Sequence, residues 1–327
     1  MSNGGVYVGG PAGGCGRLGG VSTTADVDRR WWPGHELDLV RTLGVLRRGA
    51  GDPSHRVDES GAVWRGVCTP IGPGTLRLSV DRTAGEVTAQ AWGPGAAWLA
   101  EHAPAMCGAL DDPAGFVPHH PVVAQAAARH PGFRIARAEQ VMAILVPTVL
   151  EQKTTGRQAR ASWRELVVQF GEPAPGPAPA GLRVPPPAAG WAQIPSWTWH
   201  RSGVEPARSR TIIGAARHAG RLEETLGMDP AAADARLQAL PGIGPWTSAE
   251  VRQRAHGDPD AVSVGDFHLP HTVGVALTGH RVDDAGMLEL LEPYAGHRYR
   301  ACALIELSGV RSPRYGPRLT IQDHRSH

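Results

Sequence analysis

The string Leu240-Pro241-Gly242-Ile243-Gly244-Pro245-Trp246-Thr247 constrains this chain more than any other part of it. It lies between a predicted helix over 229–240 and another over 246–254. Two glycines one residue apart let a backbone turn sharply and come within hydrogen-bond distance of a partner. At the start of a helix, free N–H groups point outward and the helix dipole favours negative charge. Such a hairpin can hold a phosphate without reading base sequence. The plainer alternative is a turn that only joins two helices. A lone Gly-x-Gly would favour that alternative, and the complete string between two helices disfavours it.

The surroundings predict an α+β chain. A glycine-rich tail is expected over 1–30, where Gly4-Gly5, Gly9-Gly10, Gly13-Gly14 and Gly19-Gly20 are not followed by the Gly-Lys-Ser/Thr of a phosphate loop. Leu37, Val40, Leu43 and Leu46 recur at helical spacing. Leu76, Leu78 and Val80, then Val87, Ala89 and Ala91, alternate with polar residues around Thr83-Ala84-Gly85, which predicts an antiparallel hairpin. Trp64–Cys68 adds a strand and Ala96–Leu110 a helix. The sheet domain is placed at 31–118. After about 120 the strand signals stop, and a helical domain is placed at 119–312, with a C-terminal tail at 313–327. Its expected helices include 135–150, bent at Pro147, 159–170 and 207–219. Asp229 suits the N-cap and Pro230 the first turn of the helix that enters the hairpin. Residues 171–190, nearly all Pro, Ala and Gly, are expected to form an extended surface connection.

Composition removes several classes of function. At 327 residues and 41% hydrophobic the chain has room for about two domains with a real core. Cys15, Cys68, Cys107 and Cys302 are scattered with no CxxC pair, which argues against zinc ribbons, disulfide frameworks and four-cysteine clusters. No apolar run approaches the ~20 residues of a membrane span, and no signal-like N-terminus is visible. A cytoplasmic protein with no membrane partner is expected. Lys153 is the only lysine among 33 basic residues, and the net charge is +2. An arginine excess suits phosphate contacts, yet it also follows from GC-rich coding, and near-neutral charge neither demands nor excludes nucleic acid.

The eight-residue string closely resembles the helix–hairpin–helix of the DNA glycosylase superfamily named for that hairpin plus a Gly/Pro-rich loop ending in aspartate. Such a loop is expected about twenty residues on, and Val262-Ser263-Val264-Gly265-Asp266 stands there. The chain resembles the inducible bacterial 3-methyladenine glycosylases, whose sheet domain precedes a helical bundle, over roughly 37–307. The resemblance implies a small antiparallel sheet domain followed by an all-α helix–hairpin–helix glycosylase bundle. It implies a monomer that binds duplex DNA containing damaged bases, in a bacterial cytoplasm and on the nucleoid. No organic or redox cofactor is implied, only a monovalent cation at the hairpin.

Asp266 is then the expected catalytic residue. Breaking a purine–deoxyribose bond builds positive charge on the sugar, which a carboxylate stabilises while it orients the attacking water. An alkylated purine already leaves as a cation, so one carboxylate without a paired acid fits it better than a neutral base. Asp266 also suits capping of the helix starting at Leu269, which is compatible with that role. Strand-cutting relatives carry lysine where this chain has Trp246, so base hydrolysis that leaves an abasic site is expected. Trp246 is expected in the base pocket, where its face attracts a cation; the alternative is a core position.

Gly242, Ile243, Gly244 and Thr247 are the expected phosphate-binding hairpin. In Glu151-Gln152-Lys153-Thr154-Thr155, Gln152 fits the family stretch that enters the gap left by a flipped base, whereas Lys153 departs from the usual apolar residue. Lys153 is read as a phosphate or orphan-base contact, or else as a solvated lysine. Arg208, with Arg210, is read as a phosphate contact or a solvated helix face. His268 is expected to line the pocket and His271 to be structural. Trp191, Trp197 and Trp199 are read as core or surface cover before base stacking. Glu306 stands where a second aromatic pocket residue is expected, which leaves lesion preference open among alkylated purines, ethenoadenine, deaminated purines and bulky adducts. A non-catalytic DNA binder, or a lyase using Lys153, are the readings from other classes.

Overall fold

The computed structural model describes residues 24–312. Strand β1 (Val27–Trp31) comes first, then helix α1 (Leu39–Gly44), β2 (His55–Val57), β3 (Val63–Thr69), β4 (Gly72–Asp81) and β5 (Glu86–Trp92). They form one antiparallel sheet in the order β1-β5-β4-β3-β2. The β4–β5 hairpin pairs Leu78 with Ala89 and Val80 with Val87, so the alternation of the sequence becomes one buried face. Helix α2 (Ala96–Met106) covers that face with Leu99, Ala103 and Met106.

The tail boundary needs correcting. Strand β1 takes in residues 27–30 of that tail, yet it pairs along its length with β5, and Arg29 donates to the carbonyls of Ala100 and Glu101. It carries one exposed run of charged side chains, so its strand character comes from the neighbour's free edge and leaves no mark in its own pattern. The remaining glycine-rich segment, 1–23, and the C-terminal tail, 313–327, lie outside the described residues.

The bundle follows: α3 (Pro121–Arg129), α4 (Val141–Glu151), α5 (Gly156–Phe170), strands β6 (Glu172–Pro173) and β7 (Arg183–Val184), α6 (Ala188–Gln193), α7 (Ser196–Arg201), α8 (Pro206–Arg217), α9 (Ala219–Glu223), α10 (Pro230–Gln238), α11 (Pro245–Val251), α12 (Leu269–Thr278), α13 (Asp284–Leu291) and α14 (Arg298–Leu307). The helix expected from 135 begins only at Val141, where the Glu223 carboxylate accepts from the first two amides of α4. The Pro/Ala-rich stretch is more than a connection. Its β6–β7 ladder lies against β3, Leu182 packs with Trp64 and Trp92, and Thr75 Oγ1 donates to the Pro175 carbonyl. Its backbone polar groups are satisfied by long-range partners, which composition does not reveal.

Apolar residues separate into two principal cores. One joins the sheet to α4, α5, α6, α8 and α11 through Leu145, Leu150, Trp163, Trp191, Trp199 and Ile212. The stacked series Trp163–Trp191–Trp199 belongs to it, whereas Trp197 is exposed. The other joins α3 to α12, α13 and α14 through Val123, Val273, Met287, Tyr294 and Ile305. Residues 111–118, placed by sequence in the sheet domain, dock on this second core: Phe116 stacks on Tyr294, and Asp111 pairs with Arg300, which is 3% exposed. No helix among the described residues is long and apolar enough to cross a membrane.

Replacing Asp111 by Ala would leave a buried guanidinium unpaired. We expect a loss of about 3–5 kcal/mol, read from the denaturant midpoint at unchanged slope.

Candidate active site

The hairpin between α10 and α11 is built from local chemistry. Asp229 accepts from the amides of Ala231 and Ala232 and so starts α10. Leu240–Ile243 then forms a turn in which the Ile243 amide donates to the Leu240 carbonyl. Pro241 sits at its second position and Gly242, at φ +91°, at its third, the pattern of a type II turn. A Cβ at Gly242 would strike the Thr211 side chain of α8. The two glycines therefore differ in purpose. Gly244 is extended, at φ −102°, and a Cβ there would meet open space. It is the N-cap of α11, and its missing side chain leaves room for a ligand to approach the helix start. Ile243 is buried, with its amide committed to the turn.

Gln152, at the end of α4, is tied to this hairpin. Its Nε2 donates to the Gly242 carbonyl at 2.9 Å and to Thr247 Oγ1 at 2.8 Å. Thr247 is only 2% exposed, so its side chain braces the hairpin from inside. Lys153 follows in the left-handed region at φ +48° and is exposed at the tip of the same turn. A non-glycine residue held there costs of order 1–3 kcal/mol, a kind of strain that clusters at functional sites.

Arg208 is a correction. It is 5% exposed; Nη1 donates to the Leu150 carbonyl at 2.9 Å, and Nη2 reaches toward Glu205. Burial depresses its pKa against the opposing charge of Glu205. It closes the C-terminus of α4 from within and is unavailable to a backbone phosphate. Its place at the start of an amphipathic helix looks the same in sequence either way.

Asp266 closes the site. Ser263 is buried, accepts from Gln253 Nε2, and donates to Glu250 Oε1 at 2.6 Å. Gly265, at φ +88°, donates its amide to Asp284. These contacts fix the loop that presents the carboxylate. Asp266 Oδ1 accepts from the amides of His268, the N-cap of α12, and Leu269, its first residue, at 2.7 and 2.8 Å. Oδ2 accepts from Trp246 Nε1 at 3.0 Å. With one donor, Oδ2 keeps a lone pair for a further partner. Trp246, one residue into α11, is half-buried and holds the carboxylate by its indole edge.

Two neighbours of this pair, Phe267 and Glu250, are residues that sequence did not single out. Phe267, directly after Asp266, is 79% exposed and meets the exposed His268 edge to face. Glu250, one turn after Trp246, pairs with Arg254 at 2.8 Å. Glu306, on the last turn of α14, lies within the electrostatic reach of Asp266 and Glu250. Burial drives the Tyr299 hydroxyl up to about 12. His271 bonds the Val282 carbonyl, a structural place. Among the described residues no three His, Cys, Asp or Glu side chains are grouped to hold a metal.

A glycine hairpin stands beside a helix-capping aspartate, in a bundle preceded by a five-stranded sheet, and this fold is similar to that of solved DNA glycosylases. The solved structures agree on this fold. The chain is similar to the 3-methyladenine DNA glycosylase from Archaeoglobus fulgidus, at a TM-score of 0.70 and 15% identity over 86% of this chain and 98% of that one. A structure titled MBOgg1 in complex with a low affinity DNA ligand gives 0.67 at 13% identity, covering 86% and 94%. The Clostridium acetobutylicum 8-oxoguanine glycosylase/lyase with double-stranded DNA gives 0.66 at 10%, covering 84% and 91%. In sequence, the chain is 33% identical over 141 residues to a probable bifunctional transcriptional activator/DNA repair enzyme AlkA of two Mycobacterium tuberculosis strains. The match takes in 42% of this chain and 28% of those relatives' length. No protein-family model matches the chain.

The difference between the two glycines is measurable. Gly242→Ala meets both a left-handed backbone and Thr211, and we expect a loss of about 1–3 kcal/mol. Gly244→Ala removes only a modest cap preference, under about 1 kcal/mol. Equal destabilisation in chemical denaturation would contradict the geometry.

Proposed function

We propose that this protein is a DNA glycosylase that flips alkylated purines of the 3-methyladenine type out of duplex DNA. It hydrolyses their N-glycosidic bond and leaves an abasic site for base excision repair. The observation that carries the reading is the Asp266 carboxylate, held by Trp246 Nε1 and two helix amides beside the glycine hairpin.

In this reading the N–H groups at Gly244 and the start of α11 hold a backbone phosphate. Extruding the nucleotide costs a few kcal/mol, offset when a protein side chain enters the gap; this reading gives that part to Lys153, on the turn that Gln152 bonds to the hairpin. The damaged base packs by Trp246, near His268 and the exposed ring of Phe267. Positive charge then grows on the sugar, Asp266 stabilises it through Oδ2, and a water oriented by the same oxygen attacks C1′. A cationic purine leaves without help.

The chemistry needs no organic or redox cofactor. The hairpin 240–246 offers a cation backbone carbonyls and no acidic side chain, a donor set suited to a weakly held monovalent ion. No step passes through it. A monomer acting on the nucleoid in the cytoplasm completes the reading. With Trp246 where a lyase has lysine, no Schiff base forms.

On dimethyl-sulfate-treated duplex DNA the wild type should release 3-methyladenine, measured by chromatography of free bases. Asp266→Asn should lower the single-turnover rate by about 10²–10³, and full activity in that variant would end the proposal. Borohydride reduction during turnover should trap no covalent protein–DNA adduct. An adduct abolished by Lys153→Ala would instead establish a lyase.

A further inference from the structure

Helix α11 and the turn after it hold the loop of Asp266 at two places. At the start of the helix, Trp246 Nε1 donates to Asp266 Oδ2 at 3.0 Å. Past its end, a π-helical turn (Arg252–His256) carries Gln253 and Arg254. Turns of this width are rare and occur frequently at functional sites. Gln253 Nε2 donates to the Ala261 carbonyl and to Ser263 Oγ, both at 2.9 Å. Ser263 Oγ in turn donates to Glu250 Oε1 at 2.6 Å, and the Ser263 carbonyl accepts from the Asp266 amide at 3.2 Å. The residue that Glu250 grips is therefore the one that holds the Asp266 backbone.

Glu250 is itself anchored outside the bundle. Its Oε2 pairs with Arg254 Nη1 at 2.8 Å. Arg254 Nε donates at 3.1 Å to the carbonyl of Val45, the C-cap of α1, and α1 packs on β3 and β4. Gln253 and Ser263 are buried, and the side chains of Glu250 and Arg254 are only 13% and 15% exposed, so water competes little for these bonds.

We infer that Glu250 is a positioning residue for Asp266, and that the sheet takes part in base release through the path Val45–Arg254–Glu250–Ser263. The inference rests on the glycosylase reading and deepens it. In that reading the phosphate is gripped at the start of α11, whereas two amides tie the Asp266 carboxylate to α12. The interval between the two helices then sets how far Oδ2 lies from C1′. Glu250, gripping Ser263 from α11, fixes that interval, and Arg254 keeps Glu250 aimed by leaning on α1. A catalytic group works when held within about 0.5 Å of its productive place. Glu250 transfers no proton in this scheme; it acts on geometry alone.

The test uses the full chain, a dimethyl-sulfate-treated duplex, and a duplex carrying a tetrahydrofuran abasic analogue. Glu250→Gln, Arg254→Lys and Ser263→Ala should each slow single-turnover release of 3-methyladenine by about 10- to 100-fold, while affinity for the abasic-analogue duplex changes by less than about threefold. The retained affinity also shows that each variant is folded. In the Asp266→Asn background, Glu250→Gln should cost less than about twofold more, because a residue that acts through Asp266 has nothing left to position. The Trp246 indole N–H resonance, identified by its loss in Trp246→Phe, should move upfield in Glu250→Gln as its bond to Asp266 loosens. A wild-type rate in Glu250→Gln, an equal loss with and without the Asp266 carboxylate, or an unmoved indole resonance would overturn the positioning role while leaving the glycosylase reading in place. A wild type that releases no base overturns both.

Discussion

The separation of apolar side chains into two principal cores governs this molecule. Leu145, Leu150, Trp163 and Ile212 bind the sheet to one half of the bundle, while Val273, Met287 and Ile305 hold the other half together. Elements that bury their apolar faces within their own half leave the ground between them to polar groups. There the chain places Glu250, Arg254, Gln253 and Ser263, joined to one another and, through Arg254 Nε, to the Val45 carbonyl. The Trp246–Asp266 bond crosses the same ground. A continuous apolar core would have closed the space in which these groups meet.

Much of the site was legible because its determinants are local. A proline followed by glycine and isoleucine specifies its own turn, and an aspartate two or three residues before a helix finds that helix's free amides wherever the fold puts them. The five-stranded sheet was visible only where alternation was clean, in β3, β4 and β5. Strand β1 gave no signal, because its partner supplies the order. Gln152 was singled out for the right turn of the chain, but its bonds run to Gly242 and Thr247, about ninety residues away, and nothing in the neighbourhood of position 152 encodes them. Glu306 drew notice only as a departure from an expected aromatic. Its helix, α14, packs on α3 and α12, elements far from it in sequence.

The arginines show why a residue count misleads. Their excess suggested contacts with a polyanion. Arg183, Arg208 and Arg254 each donate to backbone carbonyls at helix ends, Arg29 donates to two carbonyls within α2, and Arg300 neutralises Asp111 inside the second core. A guanidinium has five donors in a rigid fork, so one side chain can satisfy several unpaired carbonyls. In a chain with a single lysine, arginine does this work throughout the scaffold. These five side chains are committed to the scaffold.

The bond from Gln152 to the hairpin has a mechanical side. Because Nε2 grips both the Gly242 carbonyl and Thr247 Oγ1, the turn that carries Lys153 and the turn that carries Gly244 form one rigid bracket. In the proposed function a linear polymer lying across both would be held at one point and touched at another, with the interval between them set by the protein. Movement along such a polymer would advance both contacts together, so the molecule is built as a gauge of fixed span.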